Sequence, residues 1–159
     1  MNSQIDINDV KNHEENLNDI EKFFRLKVVE KIATEDRPIS VNEVNDIDMD
    51  MLINLHEKGA IVLDDEQENI VYSYPVSGPH TNHEIHLADG RVFHSMCAID
   101  SLGSTFTFGQ DLVIKSQCST SGEPIVVEMK DGKIKSTNAD DIYAIHVDLN
   151  AFEEWSANC

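Results

Sequence analysis

EIHLADGRVFHSMCAIDSLG, residues 84–103, places two short apolar runs on either side of Asp89-Gly90 and then turns helical. An Asp-Gly pair between such runs is a strong hairpin signal, so EIHLA and RVFHS read as paired strands. From Met96 to Gly103 the sequence reads as a brief helix. Further strands are predicted at DLVIKSQ, PIVVEMK, KIKST and IYAIHVDL, with turns at Ser121-Gly122 and Asp131-Gly132. AFEEWSANC reads as a closing helical segment, with Asn150 as its cap. The second half is therefore β-rich.

Toward the N-terminus, PVSGPHTN (75–82) marks a boundary, and the character ahead of it is helical. Apolar residues at Leu17, Ile20, Phe23, Phe24, Val28 and Ile32 recur three or four apart, the stripe of an amphipathic helix. Asn16 or Asn18 caps its start, and Arg37-Pro38 ends it. A short helix capped by Ser40 is expected to Asn45. Another runs from about Asp48 to Lys58, with Met51, Leu52 and Leu55 inward and Gly59 as its stop. AIVL and IVYSY then flank the polar turn DDEQEN as a hairpin. The whole reads as α+β: a flexible polar tail over 1–16, a winged-helix-like helical module over 17–76, and a β-rich domain with short helices over 80–159.

Winged-helix modules often bind DNA, but this one has the wrong charge for it. The second helix carries Asp46, Asp48, Asp50 and Glu57 against Lys58, and the hairpin tip adds Asp64, Asp65, Glu66 and Glu68. The chain as a whole has a formal charge of −18, which repels phosphate backbones and anionic membranes. A structural role is favoured for the module, with no nucleic acid as partner. No apolar run approaches the ~20 residues of a membrane span, and MNSQIDINDV is no signal peptide. A cytoplasmic protein is expected.

Cys97, Cys118 and Cys159 are far apart and odd in number, which suits reduced thiols better than a disulfide framework. Read singly, each is a small buried hydrophobe. Cys97-Ala98-Ile99-Asp100 is more suggestive, because a spacing of three on a helix brings a thiol and a carboxylate to one face. Thiolate selects soft metals, and a neighbouring carboxylate can move a proton. Alone, C-x-x-D is a weak signal.

The wider pattern resembles the alkylmercury (organomercurial) lyases. Met96 to Leu102 matches the family's W/M-C-A-x-D-x-L segment. Cys118, Gly122, Pro124 and, shifted by one, Val126 match a C-x-x-x-G-x-P-V segment that holds a non-catalytic cysteine. Cys159 falls where the second catalytic cysteine follows a strand and a short helix, and the winged-helix-like front matches the family's N-terminal region. The resemblance covers about residues 17–159. It implies a β-rich catalytic domain and protonolysis of a carbon–mercury bond in mercury detoxification, with Cys97, Asp100 and Cys159 as catalytic group. The same three residues would hold the Hg(II) product until small-molecule thiols or a mercuric reductase remove it, and no cofactor would be required. Family members continue past the second cysteine with a strand rich in His and Phe. The resemblance thus implies either a chain truncated after Cys159 or a coincidental alignment of that residue. At a chain end, an α-carboxylate beside the thiol would disfavour thiolate. Two other functions remain: a mercury-binding or sensing homologue without turnover, and a winged-helix transcriptional regulator.

Other candidates carry blander readings. His80, His83 and His86 form H-x-x-H-x-x-H, a zinc-like spacing. In a loop entering a strand, however, His83 and His86 point to opposite faces, so surface or edge positions are expected. Cys118 reads as a packing or structural thiol. His94 reads as a half-exposed strand-end residue, close to Cys97 only if the helix starts early. Phe152, Trp155 and Tyr143 are candidates for an apolar pocket or, for at least two of them, for the core.

Overall fold

The computed structural model describes residues 14–144. Most of the predicted tail, most of the predicted strand IYAIHVDL and the closing segment with Phe152, Trp155 and Cys159 lie outside the described residues.

Helix α1 (Asp19–Glu35) starts where Asn18 accepts hydrogen bonds from the Ile20 and Glu21 amides. Glu21 reciprocates by accepting the Asn18 N–H at 2.8 Å, which completes a capping box. The predicted apolar stripe is only half right. Val28 and Ile32 are fully buried, but Ile20 and Phe23 are 62% and 55% exposed, and Glu21 and Arg25 take their place inside. Charges can occupy a buried face only if partners meet them there. Lys58 and Asn54 both donate to Glu21 at 2.6 Å, and Lys58, the Asn18 N–H and Asn54 together hold its carboxyl down at about 2. Arg25 pairs with Glu14 at 2.9 Å and donates to the Tyr74 carbonyl.

After α1 come β1 (Ile39–Ser40), a 3-10 turn at Val41–Glu43, and α2 (Met49–Glu57), capped by the Asp48 side chain. Gly59 takes a positive φ of 69° just beyond α2, the stop expected of it. The expected hairpin forms between β2 (Val62–Leu63) and β3 (Asn69–Ser73). Then follow β4 (Val76–Ser77), β5 (His83–Leu87), β6 (Val92–Ser95), α3 (Ala98–Phe108), β7 (Leu112–Gln117), β8 (Pro124–Lys130) and β9 (Lys133–Thr137). The architecture is α+β. Among the described residues, nine strands make one antiparallel sheet in the order β1-β3-β4-β6-β5-β7-β8-β9, with β2 beside β3. Among the described residues β9 is an edge strand, and it carries Lys133 and Lys135, as edges often do.

The Pro- and Gly-bearing stretch 75–82 contains β4, which pairs with β3 on one side and β6 on the other. Sheet and core run through it. Ile32, Leu55 and Ile70 from the first half join Ile85, Phe93, Ile114 and Val127 from the second in one apolar cluster. Each fully buried side chain of this size contributes about 1.5–3 kcal/mol. Helix α1 lies against β4 and β6 and so covers the join. No helix among the described residues is long and apolar enough to cross a membrane.

Gly78 sets how closely the two halves approach. Its N–H donates to the Val71 carbonyl at 2.8 Å, and a Cβ there would stand 2.6 and 2.7 Å from the Pro38 backbone N and Cα. Backbone cannot swing aside as a side chain can. Gly78→Ala should therefore lower stability by about 1–3 kcal/mol in urea denaturation, and an unchanged midpoint would contradict this packing.

Candidate active site

Strand β6 ends at Ser95, and two residues later Cys97 occupies the N-cap position of α3 with extended backbone (φ −146°, ψ 175°). Asp100 is then the third residue of the helix. Their spacing of three is that of a cap and its capping-box partner, so the carboxyl faces the thiol across the open first turn. The positive end of the helix dipole lies at the same place and favours negative charge on sulfur. Hydroxyls lock this start. The Ser101 N–H and hydroxyl both donate to the Cys97 carbonyl, at 3.0 and 2.8 Å. Ser101 Oγ also lies 2.7 Å from Ser95 Oγ, and Thr81 donates to the Ser95 carbonyl at 2.5 Å.

Cys97 is half-buried, whereas Asp100 is 6% exposed. Burial pushes the Asp100 carboxyl up to about 8; the neighbouring Cys97 adds to this by charge and by hydrogen bonding. Among the described residues, Oδ2 of Asp100 has no hydrogen-bond partner. A buried carboxyl so placed keeps its proton at neutral pH. The site therefore holds a thiol next to a protonated acid, which can donate to whatever the sulfur captures.

Tyr74, in the turn between β3 and β4, closes one side of this cluster. Its hydroxyl is driven to about 12, first by burial and then by the charge of Asp100, with Cys97 adding to the effect and buried Arg25 opposing it. Gly103, one turn after Asp100, makes the approach possible, since a Cβ there would stand 2.0 Å from the Tyr74 hydroxyl. The sequence alone gives Arg25, Tyr74 and Gly103 no role at this site. Arg25 resembled half of an ordinary i,i+4 surface pair with Glu21, and Tyr74 an ordinary strand residue. Gly103, at the end of the predicted helix, was the one usable signal.

Comparison with known proteins places the chain in a family. The family model of alkylmercury lyase matches residues 76–159, which include Cys97 and Asp100. The chain belongs to the alkylmercury lyase family. Among solved structures, the mercury-bound form of MerB2 is similar to it in fold, with a TM-score of 0.59 and 23% sequence identity. The match covers 80% of this chain and 64% of that one, so the chain spans less than two thirds of the solved relative. No curated protein sequence matches.

In this family member the other predicted residues are placed as follows. Cys159 lies outside the described residues, as do Phe152 and Trp155; Tyr143 is 83% exposed rather than part of the core. Cys118 sits just past β7, half-exposed in a turn rather than packed in the core. Hydrogen bonds from the Ser121 hydroxyl and the Ser121 and Thr120 amides hold its thiol below the usual range. The histidines of H-x-x-H-x-x-H do not converge. His83 meets Ser116 Oγ at 2.9 Å and His86 meets Glu84 at 2.5 Å. His94 is buried rather than half-exposed, because its Nδ1 reaches Asp36 at 2.9 Å, and α3 starts too late for it to be part of the same helix as Cys97.

The protonated Asp100 makes a test of stability possible. Folding raises its proton affinity from 3.8 to about 8, so the native state binds the proton more tightly than the unfolded chain. The resulting stabilisation is complete below the unfolded value and is lost as pH rises through the folded one. At about 1.4 kcal/mol per unit, the loss amounts to a few kcal/mol. In Asp100→Asn, an isosteric neutral replacement, urea denaturation should show this slope flattened. A slope equal to that of the parent would mean that Asp100 is ionised in the native state.

Proposed function

We propose that the protein is an organomercurial lyase, cleaving the carbon–mercury bond of alkyl- or arylmercury by protonolysis. The observation that carries this reading is Asp100, a buried carboxyl raised to about 8, three residues from a thiol at a helix N-cap. Thiolate is the softest ligand a protein offers, so Cys97 captures R–Hg(II) by displacing the small thiolate that carried it. Cys159, giving its thiol proton to the displaced small thiolate, would join as the second sulfur, adding electron density at mercury and weakening the bond to carbon. The Asp100 proton then passes to that carbon as the electron pair of the C–Hg bond becomes the new C–H bond. Hydrocarbon leaves, Hg(II) remains on the two sulfurs, and Asp100 is left as carboxylate to be reprotonated. A free carbanion would be far too basic to form, so proton and leaving carbon must meet in one step.

Mercury is Hg(II) before and after, so the step needs no redox cofactor. External thiols complete the cycle by removing the product, with a mercuric reductase as a further acceptor. Such an enzyme acts in the cytoplasm, where thiols stay reduced.

Turnover is read as methane from methylmercury, or benzene from phenylmercury, in excess small thiol. Asp100→Asn should reduce it by about 10²–10⁴-fold, the usual worth of a positioned acid, while mercury capture persists. Cys97→Ser should abolish capture as well. The parent rate should fall as pH rises through about 8, where Asp100 loses its proton. Folded protein that holds one mercury per chain and releases no hydrocarbon would be a binding protein, and the lyase reading would fail.

A further inference from the structure

Three donors outside the thiol site converge from distant parts of the chain. Asp36 caps the C-terminus of α1, His80 lies in the loop after β4, and His94 lies on β6. Their ligand atoms all lie within 4.8 Å of one another. Asp36 Oδ2 is 3.0 Å from His80 Nε2, and Oδ1 is 2.9 Å from His94 Nδ1. We infer that Asp36, His80 and His94 form a binding site for a first-row divalent transition ion of the Zn(II) class, separate from the mercury-binding sulfurs.

The donor chemistry fits that class. Two imidazoles and a carboxylate are the nitrogen and oxygen ligands such ions take, and three protein ligands leave a position open to water. With bonds of about 2.0–2.1 Å at a tetrahedral centre, ligand atoms stand ~3.3–3.4 Å apart, a few tenths of an ångström beyond the two carboxylate–imidazole spacings and inside the 4.8 Å that spans the set. Opening by that amount is easy on one side. The His80 side chain is 65% exposed and can adjust by giving up its contacts to the Asp36 carboxylate and carbonyl, whereas His94 and Asp36 are more deeply held. His94 is 9% exposed on a central strand, and its backbone N–H donates to Asp36 Oδ1 at 3.1 Å. The two rings now stack, 4.2 Å apart and 16° from parallel, so rotation of His80 is what would aim both lone pairs at one ion.

Asp36 itself is held in an unusual pose. Its φ of 49° is left-handed, where aspartate and asparagine are tolerated best after glycine. That backbone turn aims the carboxylate back at β6. Sequence spacing pointed to His80 with His83 and His86, but the fold replaces the latter two by residues 44 positions upstream and 14 downstream of His80.

The test uses the full chain, stripped with chelator and thiol-alkylated so that cysteines cannot bind, and Zn(II) or Co(II) alone as probe. Equilibrium dialysis should retain one equivalent per chain, and bound Co(II) should show no thiolate charge-transfer band. Because His80 is exposed, His80→Ala should fold normally and bind at least tenfold more weakly. Asp36→Asn, which keeps the left-handed turn, should do the same, and His83→Ala should leave binding unchanged. No retained ion in folded alkylated protein overturns the proposal, as does equal loss in His83→Ala. If alkylation unfolds the chain, unmodified parent and His80→Ala are compared instead. A difference of one Zn(II) is expected, and no difference overturns it. Neither result depends on hydrocarbon release, so this site and the lyase reading fail separately.

Discussion

The register of β6 is the constraint on which both clusters depend. Side chains along a strand alternate between faces, so a slip of one residue would exchange buried Phe93 with His94. His94 lies opposite Ser77 on β4 and Glu84 on β5, and Phe93 lies opposite Ile85. Phe93 fills the apolar cluster and packs against Phe108 of α3 with ring centroids 5.2 Å apart. With Phe93 fixed inward, His94 must face α1, where Asp36 meets it. The same register delivers Ser95 to the Ser101 hydroxyl and hence Cys97 to the cap of α3. One apolar side chain thus sets the phase for an imidazole, a thiol and a carboxyl.

A second dependence runs through the buried polar groups of the first half. Arg25 is 2% exposed, and burial lowers its pKa, so its charge must be met inside. It is met by Glu14 and by the carbonyl of Tyr74, which pins the β3–β4 turn against α1. That pinning sets Tyr74 over Gly103 and makes the surroundings of Asp100 dry. The helical front therefore contributes to the chemistry of the β-rich back through packing. The acid stays protonated because elements some 25–85 residues away in sequence exclude water from it.

Local features were legible and remote ones were not. The cap at Asn18, the stop at Gly59 and the turns at Gly90, Gly122 and Gly132 follow from short-range chemistry and stand where the sequence places them. The pairing of Cys97 with Asp100 is equally local. The end of α3 was not, because Gly103 and the run STFTF argue against helix while tertiary contacts support it. Ser104 and Thr105 are buried, and their hydroxyls donate to the Asp100 and Gln110 carbonyls. The inward face of α1 escaped periodicity for a similar reason. Glu21 and Arg25 look like surface charges until Lys58, Asn54, Glu14 and Tyr74 are brought to them.

His94 and Cys97 are three residues apart, yet the two proposals assign them ions of opposite character. Mercury(II) is soft and prefers sulfur, whereas Zn(II)-class ions accept imidazole and carboxylate readily. A site built from Asp36, His80 and His94 offers mercury no thiol, and the Cys97–Asp100 pair offers a harder ion no imidazole of its own. Donor softness would thus keep the two ions apart without a long separation in space. The shared strand would still couple them mechanically. An ion gripping His94 would stiffen the end of β6, and that end positions the helix cap that carries Cys97.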